Sequence, residues 1–449
     1  MRVGFLLMTT ILAASTALCQ EKAVMSAQSM VEEARQASTL SGALAVAGTE
    51  PVRILYIHGI GATGSGGSLD LQRSICRYAR KMMHQECVGG PTRVGDREYA
   101  DDGIFAPYEE AGSNGLDPKV AAVRYMGSPI WTTWDQWHAS APFVDHYRIL
   151  FRSGKSVLVD EINWWPLVIP IKCQFMMPDE TQLAGRWKVR GDNYLSICSR
   201  QEAGVTDVQA RSFNWLQAAG YTLDELNERP NRAVLINRWA KVGVMDWRFS
   251  DAFLGVGPLR RFISDGIADL LVKCIPASAD RTTHFIAVTH SMGSYLLTST
   301  LAMQKWEDLG VANTMMQDRF DRLLQHLDAA FFFANQIPLL VMADLDRSST
   351  EFFAFGEWSR QRKAYLKASD GETVGRVVAW SDPDDVLTWR LDKDFQRWQT
   401  PPGNGIKVEN RLVRNGVRWF GLVENPESAH DNYARNSKVL RALLESPLP

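Results

Sequence analysis

Short apolar runs alternate along this chain with longer stretches of helical spacing. Val52-Arg53-Ile54-Leu55-Tyr56-Ile57 is the first such run and predicts a buried strand, with a helix to follow over Leu69–Met83. Lys155–Ile162 predicts a second strand, followed by the aromatic pair Trp164 and Trp165. His284-Phe285-Ile286-Ala287-Val288 predicts a third, running into Thr289-His290-Ser291-Met292-Gly293 and a helix from Ser294 to about Lys305. Ala329–Ala334, Val374–Trp380 and Val413–Val423 predict three more strands, and the last is followed by a loop with His430 and a closing helix to Leu444. Strands that are apolar on both faces and separated by helices predict an α/β fold, a mostly parallel sheet flanked by helices. Residues 85–145 lack periodicity and are rich in Gly, Pro, Asp and Trp, which reads as an inserted loop region. Residues 166–230 are mixed, and Leu235–Val272 has helical spacing broken near Gly255 and Pro258. No internal repeat or low-complexity tract interrupts the pattern.

Length and charge narrow the picture further. A chain of 449 residues with 45% apolar content can bury a large core. A formal net charge of −2 gives no global electrostatic reason to seek nucleic acid, and short basic clusters such as Arg260-Arg261 read as solvated helix faces. The N-terminus has Arg2, an uncharged stretch from Gly4 to Leu18, and Ala17-Leu18-Cys19 before Gln20. This predicts a signal peptide over 1–19, with retention as an anchor or lipidation of Cys19 as alternatives, and hence an exported protein, periplasmic or secreted. Residues 20–50, rich in Ala, Ser, Gln and Glu, predict a mobile leader with room for one helix; the remaining 51–449 form the main domain. Export permits disulfides, and of the remaining Cys76, Cys87, Cys173, Cys198 and Cys274 the local pairings Cys76–Cys87 and Cys173–Cys198 are the first candidates. No cysteine or histidine has metal-ligand spacing, so no zinc site and no cofactor are expected.

The candidate chemistry lies at strand ends. A serine hydroxyl is a weak nucleophile unless a sharp turn exposes it and a base stands beside it. Strand–Thr289-His290-Ser291-Met292-Gly293–helix offers such a turn, with small Gly293 two residues after the serine and Thr289 where a glycine is more usual. The Met292 N–H at the helix start is a candidate oxyanion donor. His58-Gly59-Ile60-Gly61 after the first strand offers another, with Ile60 favoured and Gly61 next. Of eight histidines, His326 and His430 follow Ser291; His326 sits among Leu323, Leu324 and Leu327 and reads as packing, which leaves His430 as base. The orienting acid comes from Ser381-Asp382-Pro383-Asp384-Asp385: Asp385 by preference, then Asp382, then Asp384.

Together, HGIG at 58–61, THSMG at 289–293, SDPDD at 381–385 and Ala429-His430 resemble the α/β-hydrolase superfamily, and within it the lipase and esterase branch. The resemblance implies a serine hydrolase that cleaves carboxylic esters through an acyl-enzyme, with Ser291, His430 and Asp385 as triad and no cofactor or metal. It implies a small-molecule or lipid ester substrate and possible contact with a membrane surface. The stretch between Met83 and Thr283 is longer than that family usually has, so a cap or lid is expected within about 85–280. Two rival readings remain: an amidase or peptidase with the same triad, and a non-catalytic exported binding protein that kept the fold.

Three other features carry blander readings. The 15 tryptophans, with Trp131, Trp134, Trp137, Trp164 and Trp165 clustered, read as core and cap packing. Gly64-Ser65-Gly66-Gly67-Ser68 lacks the lysine of a phosphate-binding loop and reads as a flexible loop on the oxyanion side. SDPDD lacks the full pattern of a calcium loop.

Overall fold

The computed structural model describes residues 28–60, 66–101, 141–168, 250–257, 260–276, 283–302, 314–343, 354–391, 405–416, 418–419, 423–424 and 426–445. Helices α1 (28–36) and α2 (Leu40–Val46) lead into strand β1 (Val52–Ile57) and helix α3 (Leu69–Met82). Two short strands, β2 (Thr92–Arg93) and β3 (Glu98–Tyr99), precede β4 (Phe143–Leu150) and β5 (Ser156–Asn163). Helices α4 (Ser250–Val256) and α5 (Arg260–Lys273) come next, then β6 (Phe285–His290) and α6 (Gly293–Ala302). Helix α7 (Thr314–His326) runs directly into β7 (Leu327–Phe333), followed by α8 (Ile337–Ala343), α9 (Ala354–Leu366) and β8 (Gly375–Ser381). Strand β9 (Ile406–Leu412), the small pair β10 (Arg418–Trp419) and β11 (Val423–Glu424), α10 (Pro426–Asp431) and α11 (Ser437–Leu444) complete the order.

Nine strands form one mixed sheet in the order β2-β4-β5-β1-β6-β7-β8-β9, with β3 also on β4. From β5 to β9 every pairing is parallel; β2, β3 and β4 add an antiparallel margin. The sheet buries both faces, which is why its central strands are apolar throughout. Leu55, Ile57, Phe285, Ala287, Ala330 and Phe332 pack toward one set of helices. Ile54, Tyr56, Ile286, Val288, Ala329 and Phe331 pack toward the other. Helix α3 shows how a covering helix is specified: Leu71, Ile75, Tyr78 and Ala79 are buried along one stripe, with Asp70 in its first turn and Arg80 and Lys81 in its last. The parallel strands end along one edge, where β1 runs into His58-Gly59, β6 into Ser291 and β8 into Asp382.

Several expectations need correction. The described part of the segment read as a mobile leader, 28–50, is two helices docked on the core, with Val31, Ala34, Ala37, Leu40 and Ala43 all buried; 20–27 lie outside the described residues. Its alanines look solvent-tolerant in sequence, yet they let the helices approach the sheet closely. Strand β4 falls at the end of a region read as loop, because Asp145 and His146 break its apolar pattern. Both are buried with partners: Asp145 accepts from Arg93 and Arg97, and His146 bonds Asp160 at 2.7 Å. Much of the described part of 85–280, namely β4, β5 and α5, belongs to the sheet and its cover; 102–140 and 169–249 lie outside the described residues. The last strand of the nine-stranded sheet is Ile406–Leu412; within the described part of the expected strand Val413–Val423 lie only β10 and the start of β11, which pair with each other outside that sheet. Ile406–Leu412 is a half-polar margin strand whose Glu409 pairs with Arg376 and Arg411, so it lacks the apolar run of an inner strand.

Of the two suggested disulfides, Cys76–Cys87 is formed, and Cys173–Cys198 lies outside the described residues, as do the signal segment and Cys19. Cys274 is a buried free thiol. Among the described residues no helix is long and apolar enough to cross a membrane. The disulfide closes a separation of 11 residues between the middle of α3 and the loop before β2. Cys76→Ser/Cys87→Ser lowers stability by about 2–3 kcal/mol, from the loop entropy restored to the unfolded chain. Urea unfolding of the variant and of the reduced wild type checks this, and unchanged midpoints in both would refute it.

Candidate active site

Ser291 stands between β6 and α6 with φ +57°, a left-handed conformation that is strained for a non-glycine residue. Its N–H donates to the Phe333 carbonyl at 2.8 Å, and its own carbonyl accepts from Ser294 N at 3.1 Å and from Ser294 Oγ at 2.7 Å. Tight packing enforces the turn: a Cβ on Gly293 would lie 2.4 Å from the Ile57 carbonyl oxygen and 2.8 Å from that of His58. Thr289 needs no such freedom. It is an ordinary β6 residue without positive φ, lying between Ile57 and Phe332 in register, so the departure from glycine is tolerated.

The base and acid meet this serine directly. His430 Nε2 lies 2.9 Å from Ser291 Oγ, and His430 Nδ1 lies 2.8 Å from Asp385 Oδ2. The carboxylate is an acceptor, so Nδ1 carries the proton and Nε2 is free to take one from the serine. All three residues are buried. Asp385 is therefore the acid that reaches the base. Asp382 is buried as well, but its Oδ1 accepts from Asp384 N at 3.0 Å and its Oδ2 from Asn415 N at 2.5 Å. Asp382 thus builds the turn that aims Asp385, and Asp384 is a half-buried member of the same turn. His326 is remote from this group: its Nδ1 donates to the Thr283 carbonyl at 3.0 Å and its ring packs on Tyr365.

Three side chains that position the site carry weak signals in sequence. Asn415 takes Asp382 at its backbone and donates from its amide to the Ala429 carbonyl at 3.2 Å, tying the acid loop to the segment that bears His430. Asn335, just past β7, exchanges backbone bonds with Trp380 and Trp389 and donates from its side chain to the Trp389 carbonyl at 2.8 Å. His290 donates from Nε2 to the His430 carbonyl at 2.9 Å and meets the His430 ring edge-on; burial, then His430 itself, lowers its pKa to about 4. Single Asn residues in loops are common, so only their partners reveal these roles.

The Gly59 turn approaches the serine from β1. A Cβ at Gly59 would lie 2.5 Å from Ser291 Cβ and 3.1 Å from Ser291 Oγ, so glycine alone allows this contact. Among the described residues neither the Met292 N–H nor the Ile60 N–H donates to another group. Gly61 lies outside the described residues. His58 is buried, donates from Nδ1 to the Gly59 carbonyl at 2.8 Å and stacks on Trp164, whose Nε1 donates to the His58 carbonyl at 3.1 Å. Burial lowers the His58 pKa to about 4. Trp164 is thus packing, as the sequence suggests, but packing that fixes this turn. One group among the described residues, His290, His430 and Asp431, has ligand atoms close enough to share an ion, within 4.8 Å. Both nitrogens of His430 are already engaged by Ser291 and Asp385.

His58 and His326 are both buried with pKa values lowered to about 4 from 6.5, so each is neutral in the fold where the unfolded chain would be protonated. Their contribution is fully present above pH 6.5 and is lost as pH falls toward about 4. Urea midpoints hold steady from pH 8 to about 6.5 and fall below it; a flat profile down to about pH 4.5 would refute the assignment. Gly59→Ala keeps the fold, shown by an unchanged circular dichroism spectrum, but displaces Ser291 and cuts the rate of labelling by a serine-directed fluorophosphonate about 100-fold; wild-type labelling would show that the turn yields freely.

Comparison of the chain with models of protein families, with curated proteins and with solved structures returns no match.

Proposed function

We propose that this chain is a serine hydrolase of the α/β-hydrolase type that cleaves carboxylic esters through an acyl-enzyme. The observation that carries the reading is the continuous chain Ser291 Oγ, His430 Nε2, His430 Nδ1, Asp385 Oδ2, with links of 2.9 and 2.8 Å on a strained serine turn. An ion-paired histidine serves structure in many proteins, but here the other nitrogen of the same ring also faces a serine hydroxyl on a strand-to-helix turn held at positive φ.

In this mechanism Ser291 Oγ attacks the ester carbonyl while His430 Nε2 takes its proton. Asp385 holds the ring in the required tautomer and stabilises the imidazolium. The N–H groups of Met292 and Ile60 receive the oxyanion. His430 then protonates the leaving alcohol, and water, activated by the same base, releases the acid. An apolar acyl group is favoured because the exposed apolar side chains Val386 and Trp389, 71% and 53% exposed, follow Asp385 by one and four residues in the acid loop. Export agrees with the Cys76–Cys87 disulfide, since such bonds persist in oxidising compartments.

Hydrolysis of p-nitrophenyl esters of increasing chain length tests the reading. Ser291→Ala, His430→Ala and Asp385→Asn each lower kcat by about 10⁴-fold while the circular dichroism spectrum stays native. Asp382→Asn costs less than Asp385→Asn, because it disturbs the turn without removing the partner of the base. A wild type that neither turns over esters nor reacts with a fluorophosphonate favours the non-catalytic binding protein; turnover of anilides above esters favours the amidase.

A further inference from the structure

The edge of the sheet opposite the triad carries a cavity that the proposed reaction leaves unused. Strand β5 starts there, at Ser156, and ends on the triad side at Asn163, which puts about 25 Å between the two edges. The cavity measures about 480 Å³ and is lined by Arg80, His84, Gln85, Glu86, Arg152 and Ser153. Both of its walls are fastened. The Cys76–Cys87 disulfide ties the segment after α3 to the helix, and Cys87 bridges Phe151 in antiparallel register. Val88 N donates to the Leu150 carbonyl at 2.7 Å, and Arg152 N to the Glu86 carbonyl at 2.8 Å. Ser153 Oγ donates to Gln85 Oε1 at 3.1 Å, which leaves the Gln85 amide nitrogen to donate. Helix α3 closes with His84 at φ +53°, a position where glycine is usual.

Charge and apolar surface meet at this cavity. Its one carboxylate, Glu86, is held by Arg152 at 2.9 Å, which leaves Arg80 without an acid. Arg73, Arg77 and Arg80, spaced four and three residues apart, form one exposed stripe on α3, with Lys81 beside it. Among the described residues no carboxylate pairs with any of the four, although exposed arginines elsewhere, Arg35, Arg360, Arg435 and Arg441, each have one. The negative end of α3 accounts for Arg80 and Lys81 but not for Arg73 and Arg77, which lie earlier in the helix. The bridge beside the cavity sets Val88 opposite Leu150 and Glu86 opposite Arg152. Side chains alternate along it, so Cys87 and Phe151 turn inward while Val88 and Leu150 stand exposed next to Glu86 and Arg152.

A bilayer interface satisfies both halves of this surface: its phosphates take the cations and its acyl boundary takes the short apolar pair. A soluble phosphate leaves Val88 and Leu150 in water, and a second copy in two-fold contact sets the same unpaired cations face to face. We propose that this edge docks on an anionic phospholipid bilayer, with a headgroup phosphate in the cavity between Arg80 and Arg152 and with Val88 and Leu150 in the interface. Docked in this way, the chain turns the Ser291 side of the sheet away from the bilayer, toward solutes. The docking stands independently of the ester chemistry.

The full-length chain is floated with vesicles of phosphatidylcholine alone and with about 30% phosphatidylglycerol added. The apolar stretch Gly4–Leu18 meets both kinds of vesicle alike, so the ratio of the two affinities reports the charged edge. Each arginine at an anionic surface is worth about fivefold, so the wild type prefers the anionic vesicles by more than about 25-fold, and Arg80→Gln/Arg152→Gln cuts that preference about 25-fold. Leu150→Glu, which sets a carboxylate against the headgroups, cuts it about fivefold. Arg360→Gln/Lys407→Gln removes two exposed charges from the opposite margin of the sheet, at α9 and β9, and leaves the ratio unchanged. A wild type without a preference for anionic vesicles, or equal losses in the two double variants, overturns the proposal. Two further results overturn it. Arg80-dependent binding of glycerol 1-phosphate without vesicle preference makes the cavity a soluble-ligand site, and a concentration-dependent dimer abolished by Leu150→Glu makes the edge a contact between copies. Should Arg152→Gln alter the circular dichroism spectrum, Arg80→Gln alone decides: about a fivefold loss is expected, and no loss overturns the proposal. Fluorophosphonate labelling of Ser291 keeps its wild-type rate in every variant, so failure of the docking and failure of the hydrolase reading are told apart.

Discussion

Ser291 at φ +57° costs roughly 1–3 kcal/mol relative to a relaxed backbone, and much of the surrounding architecture bears on keeping it there. The strain persists only because neighbouring elements over-determine the turn. Phase and position come from β6, which is paired on both sides by parallel strands with Thr289 held between Ile57 and Phe332. The Phe333 carbonyl takes the Ser291 N–H. Gly293 lets α6 start against the end of β1, and Gly59 lets the β1 turn close over the serine. Relaxing the serine would break the packing of three strand ends at once.

The same logic extends to the partners of the serine. His430 lies 139 residues from Ser291 and 45 from Asp385, so no local rule can bring the three together. Two ties do. Asp382 and Asn415 join the loop after β8 to the segment before α11, and Asn335 joins the acid loop to the end of β7. His290, adjacent to the serine, donates to the His430 backbone carbonyl. Each tie is a polar side chain satisfied by backbone, the form of bond that a buried loop requires and that fixes geometry rather than adding much net stability.

Buried charge follows one pattern across the sheet. Arg53 and His146 share Asp160, Arg93 and Arg97 share Asp145, and Arg362 and His284 share Asp328. These groups pin the antiparallel margin and the helix–strand junction at α7–β7. Glu161 and Asp382 depart from it: both are buried, both accept from backbone N–H groups, and neither forms an ion pair among the described residues.

The amino-acid sequence by itself determined the inner strands, the serine turn and the order along the chain of Ser291, the acid loop and His430, because these rest on local rules: apolar runs, a small residue where a turn is tight, and a histidine after the last run. It left three aspartates open at 382, 384 and 385, since one residue of register decides which carboxylate points at the base. It also hid β4, β9 and the docked helices α1 and α2. Asp145, His146 and Glu409 lie in strands whose charges are neutralised by residues distant in sequence, and Ala34, Ala37 and Ala43 look solvent-tolerant until a sheet is placed against them. Tertiary structure brought Asp385, already preferred among the three, to His430, and it set Glu161 against Gly66–Ser68, 93 residues from Ser68. Both choices are made by where parallel strands end in space, a distance that spacing along the chain does not encode.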